Sequence, residues 1–277
     1  QRLLEMALVD KSNCESCVAA GQNSGAWLGA VMGELAKAGR DKITFIISPA
    51  IASFGDWVEQ LIAESTGKSG TGILPVVGEA IGIPDQYGSD RLFVYLHMDD
   101  DAHAEPAIAV LEDAGHPVVH IRLSDLYGLG GQFFLWEMAT AVAGYRIGIQ
   151  PFNQPNVESA KVIARQMIAA YIESGSLPDH NAALQDNGLA VYGANVYGTS
   201  VIEALRSFLK QADTGDYVTL QAYVTPDRET DEALNTLRLR IRDSLNVATT
   251  SGYGPRFLHS TGQLHKGDAG NGLFIQF

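Results

Sequence analysis

The sequence predicts an α/β protein in which helices cover both faces of a mostly parallel β-sheet. Three observations support this prediction: strands alternate with helices, the strands are nearly continuous apolar runs, and the helices carry one apolar face. Strands in a parallel sheet covered on both sides have such apolar runs because neither face meets water. The predicted fold class is therefore a three-layer α-β-α sandwich.

Apolar runs rich in β-branched and aromatic residues predict the strands. They lie at residues 42–48, 91–97, 117–123, 217–224 and 273–277. Helical patterns are found at residues 24–38, 54–65, 105–114, 133–145, 157–172, 201–211 and 229–245. A polar segment containing Pro and Gly, residues 173–187, is the predicted boundary. It separates residues 1–185, the main domain, from residues 186–277, a C-terminal α/β extension that packs on or completes the same domain.

Composition narrows the class of function. The chain has 277 residues, 46% of them apolar, which is enough for a substantial core. Its formal net charge of −13 argues against a nucleic-acid partner or an anionic membrane surface, and its apolar runs are too short to span a membrane. Only two cysteines are present, which is typical of a cytoplasmic protein. Because the chain lacks an initial Met and opens within a helical pattern, we expect it to be a fragment.

The segment EQLIAESTGK, residues 59–68, carries the first candidate site. Ser53 followed by Asp56 predicts a capping box that starts the helix, and Gly67 is expected to end it. Gln60 and Glu64 are four residues apart, so both side chains lie on one helix face. This arrangement places an amide beside a carboxylate at the end of a helix.

Glu64 is a candidate proton shuttle. In the last helical turn, the helix dipole disfavours a second negative charge, and partial burial acts in the same direction. Both effects raise the pKa of the carboxyl towards neutrality, where a general base is most effective. The alternative is an exposed glutamate that pairs with Lys68.

The segment PFNQPNVESAK, residues 151–161, carries the second candidate site. Pro155 is expected in a first helical turn, and Glu158 and Lys161 follow Gln154 at offsets of four and seven. All three polar side chains can then share one helix face, close to backbone amides that favour a phosphate or a hydroxyl-rich ligand. The alternative is an ordinary helix cap with a solvent-directed lysine.

The two segments together resemble the glucose-6-phosphate isomerase family. That family has a Gln, a catalytic Glu four residues later, and then Ser, a variable residue, Gly and Lys, as at residues 60–68 here. Its second signature, with Phe-Asp-Gln, Val-Glu and Lys, is similar to residues 152–161. The chain departs from that signature at Asn153, where the family has Asp, and at Asn156, where it has Gly.

The resemblance implies reversible aldose–ketose isomerisation of a sugar phosphate through a cis-enediol. It assigns proton transfer between carbons 1 and 2 to Glu64, substrate binding to Gln60 and Gln154, and assistance at the ring oxygen to Lys161. Neither a metal nor a nicotinamide cofactor is implied, and the glycines at residues 128–131 do not form a dinucleotide-binding motif.

The family also uses a histidine for ring opening, in a Leu-His-Ser-x-Gly-Gln motif. No histidine follows the catalytic segment here, but LHSTGQ occurs at residues 258–263. We therefore expect the C-terminal segment to fold back and supply His259. His265 is the competing candidate, and a surface histidine in a glycine-rich tail is the alternative.

Two further parts of the family pattern are absent: the Gly-Gly-Arg motif, whose Arg stabilises the enediolate, and the Ser/Thr-rich phosphate loop. Both belong to the first sugar-isomerase (SIS) domain in the family. The chain therefore resembles the second SIS domain, with a flavodoxin-like sheet, and most resembles the isomerase part of transaldolase–isomerase fusions. The implied partners are the sugar phosphate, a missing N-terminal isomerase domain and a fused transaldolase domain.

Two other functions remain open at this point. A non-catalytic SIS module that binds a sugar phosphate needs Gln154 and helix N-termini, but has no need of Glu64 together with Lys161. The second possibility is a structural half of an enzyme that is inert without its missing domain. The isolated chain is then expected to show little or no turnover, because acid–base groups cannot replace lost substrate binding.

Overall fold

The computed structural model describes residues 1–19, 21–177, 181–194 and 196–277, without the side chains of residues 157–160. The helices are α1 (Arg2–Asn13), α2 (Ser24–Lys37), α3 (Phe54–Thr66), α4 (Glu105–Asp113), α5 (Leu129–Ile147), α6 (Val157–Ser174), α7 (Val201–Leu209), α8 (Arg228–Leu245) and α9 (Leu264–Gly267). The strands are β1 (Lys42–Ile47), β2 (Leu74–Val76), β3 (Arg91–Met98), β4 (Val118–Leu123), β5 (Leu184–Asp186), β6 (Leu189–Val191), β7 (Tyr217–Ala222), β8 (Ala248–Tyr253) and β9 (Gly272–Gln276).

The main sheet has the strand order β2-β1-β3-β4, and all its pairs are parallel. This is the beginning of the flavodoxin-like order, in which ligands bind beyond the carboxyl ends of the strands. Strand β2 is only three residues long and includes a proline, so its pattern was too short to predict it. The predicted fold class, an α/β sandwich with a parallel sheet, is confirmed.

Side chains alternate between the two faces of the main sheet. Leu92, Val94 and Leu96 of β3 pack towards α2, α3 and α5, where Trp136 is completely buried. Phe93 and other alternate residues pack on the opposite face against α4. Successive side chains of a strand point to opposite faces of the sheet, and helices cover both faces here. Every residue of such a strand is therefore buried, which explains the continuous apolar runs in the sequence.

A second parallel sheet, in the order β8-β7-β9, lies beside strand β2. The buried guanidinium of Arg238, in α8, donates to the carbonyls of Val77 at 3.0 Å and Thr249 at 2.6 Å, and so joins the two sheets. Strand β8 was not predicted, because its sequence ATTSGY is largely polar and its burial depends on the neighbouring strand. The proposed division of the chain at residues 185 and 186 stays a prediction.

Helix α6 and the β5–β6 hairpin lie on the outside of the molecule. Their exposed apolar side chains are Val162, Ile163, Ile168, Tyr171, Ile172 and Leu189. Within the described residues, no helix combines the length and apolar character needed to cross a membrane.

Candidate functional site

The candidate site is a cleft of about 340 Å³ between one side of α3 and the loop that follows α5. Its lining residues are Trp57, Gln60, Leu61, Glu64, Ser65, Glu137, Pro151, Phe152 and Gln154. The two sequence segments that carry the predicted site residues therefore form opposite walls of one cleft.

Helix α3 orients Gln60 and Glu64 by burying its other face. Phe54, Val58 and Ile62 recur every four residues and pack into the core, so Gln60 and Glu64 point away from it. The Gln60 amide donates a hydrogen bond to Oε2 of Glu64 over 3.2 Å. Glu64 is half-buried in the last turn of the helix, as predicted.

Helix α3 begins at Phe54 as predicted, but the predicted cap at its start is absent. Ser53 has helical dihedral angles and makes no capping hydrogen bond, so the predicted capping box with Asp56 is wrong. A short 3-10 turn over Pro49–Ile51 leads directly into the helix, and Ser53 therefore cannot take the extended conformation of an N-cap. Gly67 is the C-cap, as predicted.

Lys68 does not form the predicted alternative ion pair with Glu64 among the described salt bridges. Its side chain is 1% exposed, and its ammonium donates to the carbonyls of Gln150 at 3.0 Å, Pro151 at 2.9 Å and Asn153. Burial lowers the pKa of Lys68, and the nearby Glu64 carboxylate opposes this shift. Lys68 is thus a buried link between the end of α3 and the opposite wall.

Gln154 lies in the loop before α6 and lines the cleft. The prediction that Gln154, Glu158 and Lys161 share one helix face is wrong for Gln154, because α6 begins only at Val157 and Pro155 precedes its first turn. The side chain of Glu158 is outside the described residues. Lys161 is exposed on α6 and is not among the described residues that line the cleft.

The C-terminal segment lies along α3. Arg256 pairs with Asp56 at 3.0 Å, and the Ser260 hydroxyl bonds to the Glu59 carboxyl. His259, at the end of the Arg256–His259 turn, is exposed and is not among the described residues lining the cleft. The segment does fold back along α3, therefore, but His259 lies beside the first half of that helix, and Gln263 rather than His259 reaches its C-terminal end.

Comparison with known proteins gives glucose-6-phosphate isomerases that match over part of the chain. A glucose-6-phosphate isomerase of Lactobacillus helveticus is 28% identical over 151 residues, covering 41% of this chain and 34% of the relative. A glucose-6-phosphate isomerase of Lactiplantibacillus plantarum is 30% identical over the same shares. A probable glucose-6-phosphate isomerase of Methanococcus maripaludis is 30% identical over 167 residues, covering 47% of this chain and 38% of the relative.

Part of this chain is related to the glucose-6-phosphate isomerases. The chain spans about a third of the length of the relatives it matches. No family model matches the chain. A hypothetical protein from Thermus thermophilus, solved as a crystal structure, superposes with a TM-score of 0.49 and 19% identity, covering 61% of this chain and 50% of that one.

His265, the second candidate for the isomerase histidine, is packed inside the protein. Its ring lies 6.1 Å from that of Tyr217 and 5.1 Å from that of Phe274, measured between ring centroids. Burial lowers its pKa to about 4, and the Lys266 charge acts in the same direction. A neutral imidazole between two aromatic rings is a packing group, so His259 is the more accessible of the two.

Glu59 has an environment that the sequence does not predict. Burial, and to a smaller extent the Asp56 carboxylate, raise its pKa from 4.5 to about 7. The Ser260 hydroxyl and two nearby guanidinium groups lower the pKa and only partly offset this rise. Glu59 and Glu64 are five positions apart on α3, so they point about 140° apart around the helix. No signal in the sequence distinguishes Glu59, because the segment that covers it is about 200 residues further along the chain.

Proposed function

We propose that this chain supplies the proton-transferring half of a glucose-6-phosphate isomerase. The reaction is the interconversion of glucose 6-phosphate and fructose 6-phosphate through a cis-enediol. The observation that carries the proposal is the cleft in which Glu64 and Gln60 face Gln154, because a carboxylate and two amides converge there. The related isomerases support the same reaction class.

In the proposed mechanism, Glu64 accepts the proton from carbon 2 of the open-chain aldose and returns it to carbon 1. A second proton passes from the hydroxyl group on carbon 2 to the carbonyl oxygen on carbon 1, and the product is the ketose. The hydrogen bond from Gln60 holds the Glu64 carboxylate in one orientation. The Gln154 amide, on the opposite wall, is placed to bind substrate hydroxyl groups. Lys161 and His259 are proposed to act at the ring oxygen, and both are exposed and accessible to a bound sugar or to a partner domain.

The charge of the cleft supports a missing upstream domain. Glu64 and Glu137 both line the cleft, while the described lining residues include no Lys or Arg. A sugar phosphate carries negative charge, and two carboxylates oppose its entry unless cations are supplied from elsewhere. We therefore propose that this is a second SIS domain whose phosphate-binding groups lie in a first SIS domain, in a parent that resembles transaldolase fusions.

The exposed face of α6 also supports a partner domain. Ile168, Tyr171 and Ile172 lie on one side of that helix and are each more than half exposed. Exposed apolar clusters of this kind mark contact surfaces more often than free surface. The isolated chain is accordingly proposed to have little or no isomerase activity.

The test is a coupled isomerase assay with fructose 6-phosphate on the full-length parent protein. Wild type is compared with Glu64→Gln, which keeps the shape of the side chain and removes the base. We expect kcat to fall by about 10³-fold, within the range typical of general acid–base groups. Glu137→Gln removes the other carboxylate of the cleft and is expected to lower kcat by less than about tenfold, since no proton transfer is assigned to it.

Equal activity of wild type and Glu64→Gln would overturn the catalytic assignment. If neither protein turns over while fructose 6-phosphate still binds, the non-catalytic SIS module is the better description. Binding can be followed through Trp57, which lines the cleft, with Trp57→Phe as the control for the fluorescence signal. Robust turnover by the isolated 277-residue chain would contradict the two-domain proposal.

A further inference from the structure

Lys68 is a buried cation whose donors are all used by one loop. The three N–H groups of its ammonium are matched by the three carbonyls of Gln150, Pro151 and Asn153. These residues belong to the wall of the cleft that carries Gln154. A buried ammonium is costly to desolvate unless it is fully hydrogen-bonded, so its placement strongly favours one position of this loop.

Gln263 makes a second connection between the same two parts of the chain. Its side chain is 3% exposed, and its amide nitrogen donates to the Gly67 carbonyl at 2.8 Å and to Oδ1 of Asn156 at 2.9 Å. Gly67 ends α3, and Asn156 precedes α6. The C-terminal segment thus contributes a side chain that binds both walls behind the cleft.

Side chains carry this connection because the main chain does not. Within the described residues, no backbone hydrogen bond joins α3 to residues 150–156. Alongside the packing of α3 on α5, the described hydrogen bonds that hold Glu64 and Gln154 at their separation are therefore those of Lys68 and Gln263. Proton transfer requires the base within about 0.5 Å of its productive position, so small movements of either wall matter.

We propose that Lys68 and Gln263 are positioning residues that set the width of the cleft between Glu64 and Gln154. This inference rests on the proposed isomerase function. Neither side chain acts on the substrate, since the donors of Lys68 are used by the loop and Gln263 lies behind it. Their effect is on the geometry of the proton transfer and on substrate binding.

The test measures kcat and KM for fructose 6-phosphate, together with the unfolding temperature, in the full-length parent protein. Lys68→Met keeps an unbranched side chain that is one heavy atom shorter and removes the three donors. We expect kcat to fall by about 10²-fold, the effect of a misplacement of about 1 Å, and KM to rise. Lys68→Arg restores a charged donor and is expected to recover part of the lost kcat.

Lys42→Met is the matched control. Lys42 is also 1% exposed, and its ammonium binds Asp41 and the Gly215 carbonyl, at the junction with the second sheet rather than at the cleft. This variant is expected to lower the unfolding temperature while kcat and KM stay within about twofold of wild type. The comparison separates loss of stability from loss of positioning.

Gln263→Met is the second variant, and it tests the positioning role if Lys68→Met does not fold. Its expected effect is a roughly tenfold fall in kcat, because one of the two connections remains. Unchanged kcat and KM in a folded Lys68→Met or Gln263→Met protein overturn the positioning role alone. A wild-type parent without isomerase activity overturns the proposed function, and the positioning role with it.

Discussion

Replacing Glu59 with glutamine is expected to stabilise the protein above neutral pH and to change it much less at pH 5. Burial of this carboxyl, with the Asp56 charge beside it, raises its pKa from the ordinary 4.5 to about 7. The Ser260 hydroxyl and two guanidinium groups oppose the shift without cancelling it. Glutamine has nearly the same shape, can bond to Ser260 and carries no charge at any of these pH values.

The direction of this pH dependence follows from the proton that the folded protein retains on Glu59. Between pH 4.5 and 7 the folded state holds a proton on Glu59 that the unfolded chain releases, so stability falls as the pH rises through this range. About 2.5 pH units at roughly 1.36 kcal/mol each correspond to a loss of roughly 3 kcal/mol by pH 8.5. The glutamine variant has no titrating group at position 59, so it does not lose this stability as the pH rises.

The assay is urea unfolding of wild type and Glu59→Gln at pH 5 and pH 8.5. The variant's advantage in unfolding free energy is expected to grow by about 2–3 kcal/mol between the two pH values. Glu232→Gln, at an exposed position of α8, is the matched control and is expected to change stability by less than about 0.5 kcal/mol at both. An advantage of Glu59→Gln that does not depend on pH would refute the reasoning.

Two further substitutions test how the C-terminal extension, residues 186–277, packs on the rest of the protein. Gly67→Ala places a Cβ 2.2 Å from Cα of Leu264, so we expect the unfolding free energy measured by chemical denaturation to fall by about 1–3 kcal/mol. Gly21→Ala is the control, because its added Cβ meets no atom within 4 Å, and its unfolding free energy should differ little from that of wild type. Arg238→Ala leaves two carbonyl groups without their donor and is expected to cost about 2–4 kcal/mol, whereas the exposed Arg240→Ala is expected to cost less than about 0.5 kcal/mol. Similar unfolding free energies within either pair would contradict the packing that the structure shows.

Most regular elements could be predicted because their patterns are local. Strand β1 was expected at residues 42–48 and is found at Lys42–Ile47, and α3 was expected at residues 54–65 and is found at Phe54–Thr66. Helix α5 begins at Leu129, four residues before its prediction, because its early glycines pack closely on α1. Helix packing, rather than helix propensity, decided that boundary.

The candidate site was predictable only in part. The spacing of Gln60 and Glu64 determines that they share a helix face, and the hydrogen bond between them agrees with it. Gln154 was expected on a helix, yet it lies in a loop that Lys68 holds in place. The catalytic and binding roles of Gln60, Glu64, Gln154, Lys161 and His259 stay predictions.

The sequence by itself determined the layers of the fold and the residue types at the cleft, because apolar periodicity and short motifs act over a few neighbouring residues. Only the tertiary structure decided what surrounds Glu59 and how Lys68 and Gln263 join the walls of the cleft. The hydrogen bond from Gln263 to Gly67, for example, joins positions 196 residues apart. The burial, the hydrogen-bond partners and the pKa of a side chain depend on such distant neighbours, so a local sequence pattern cannot predict these properties.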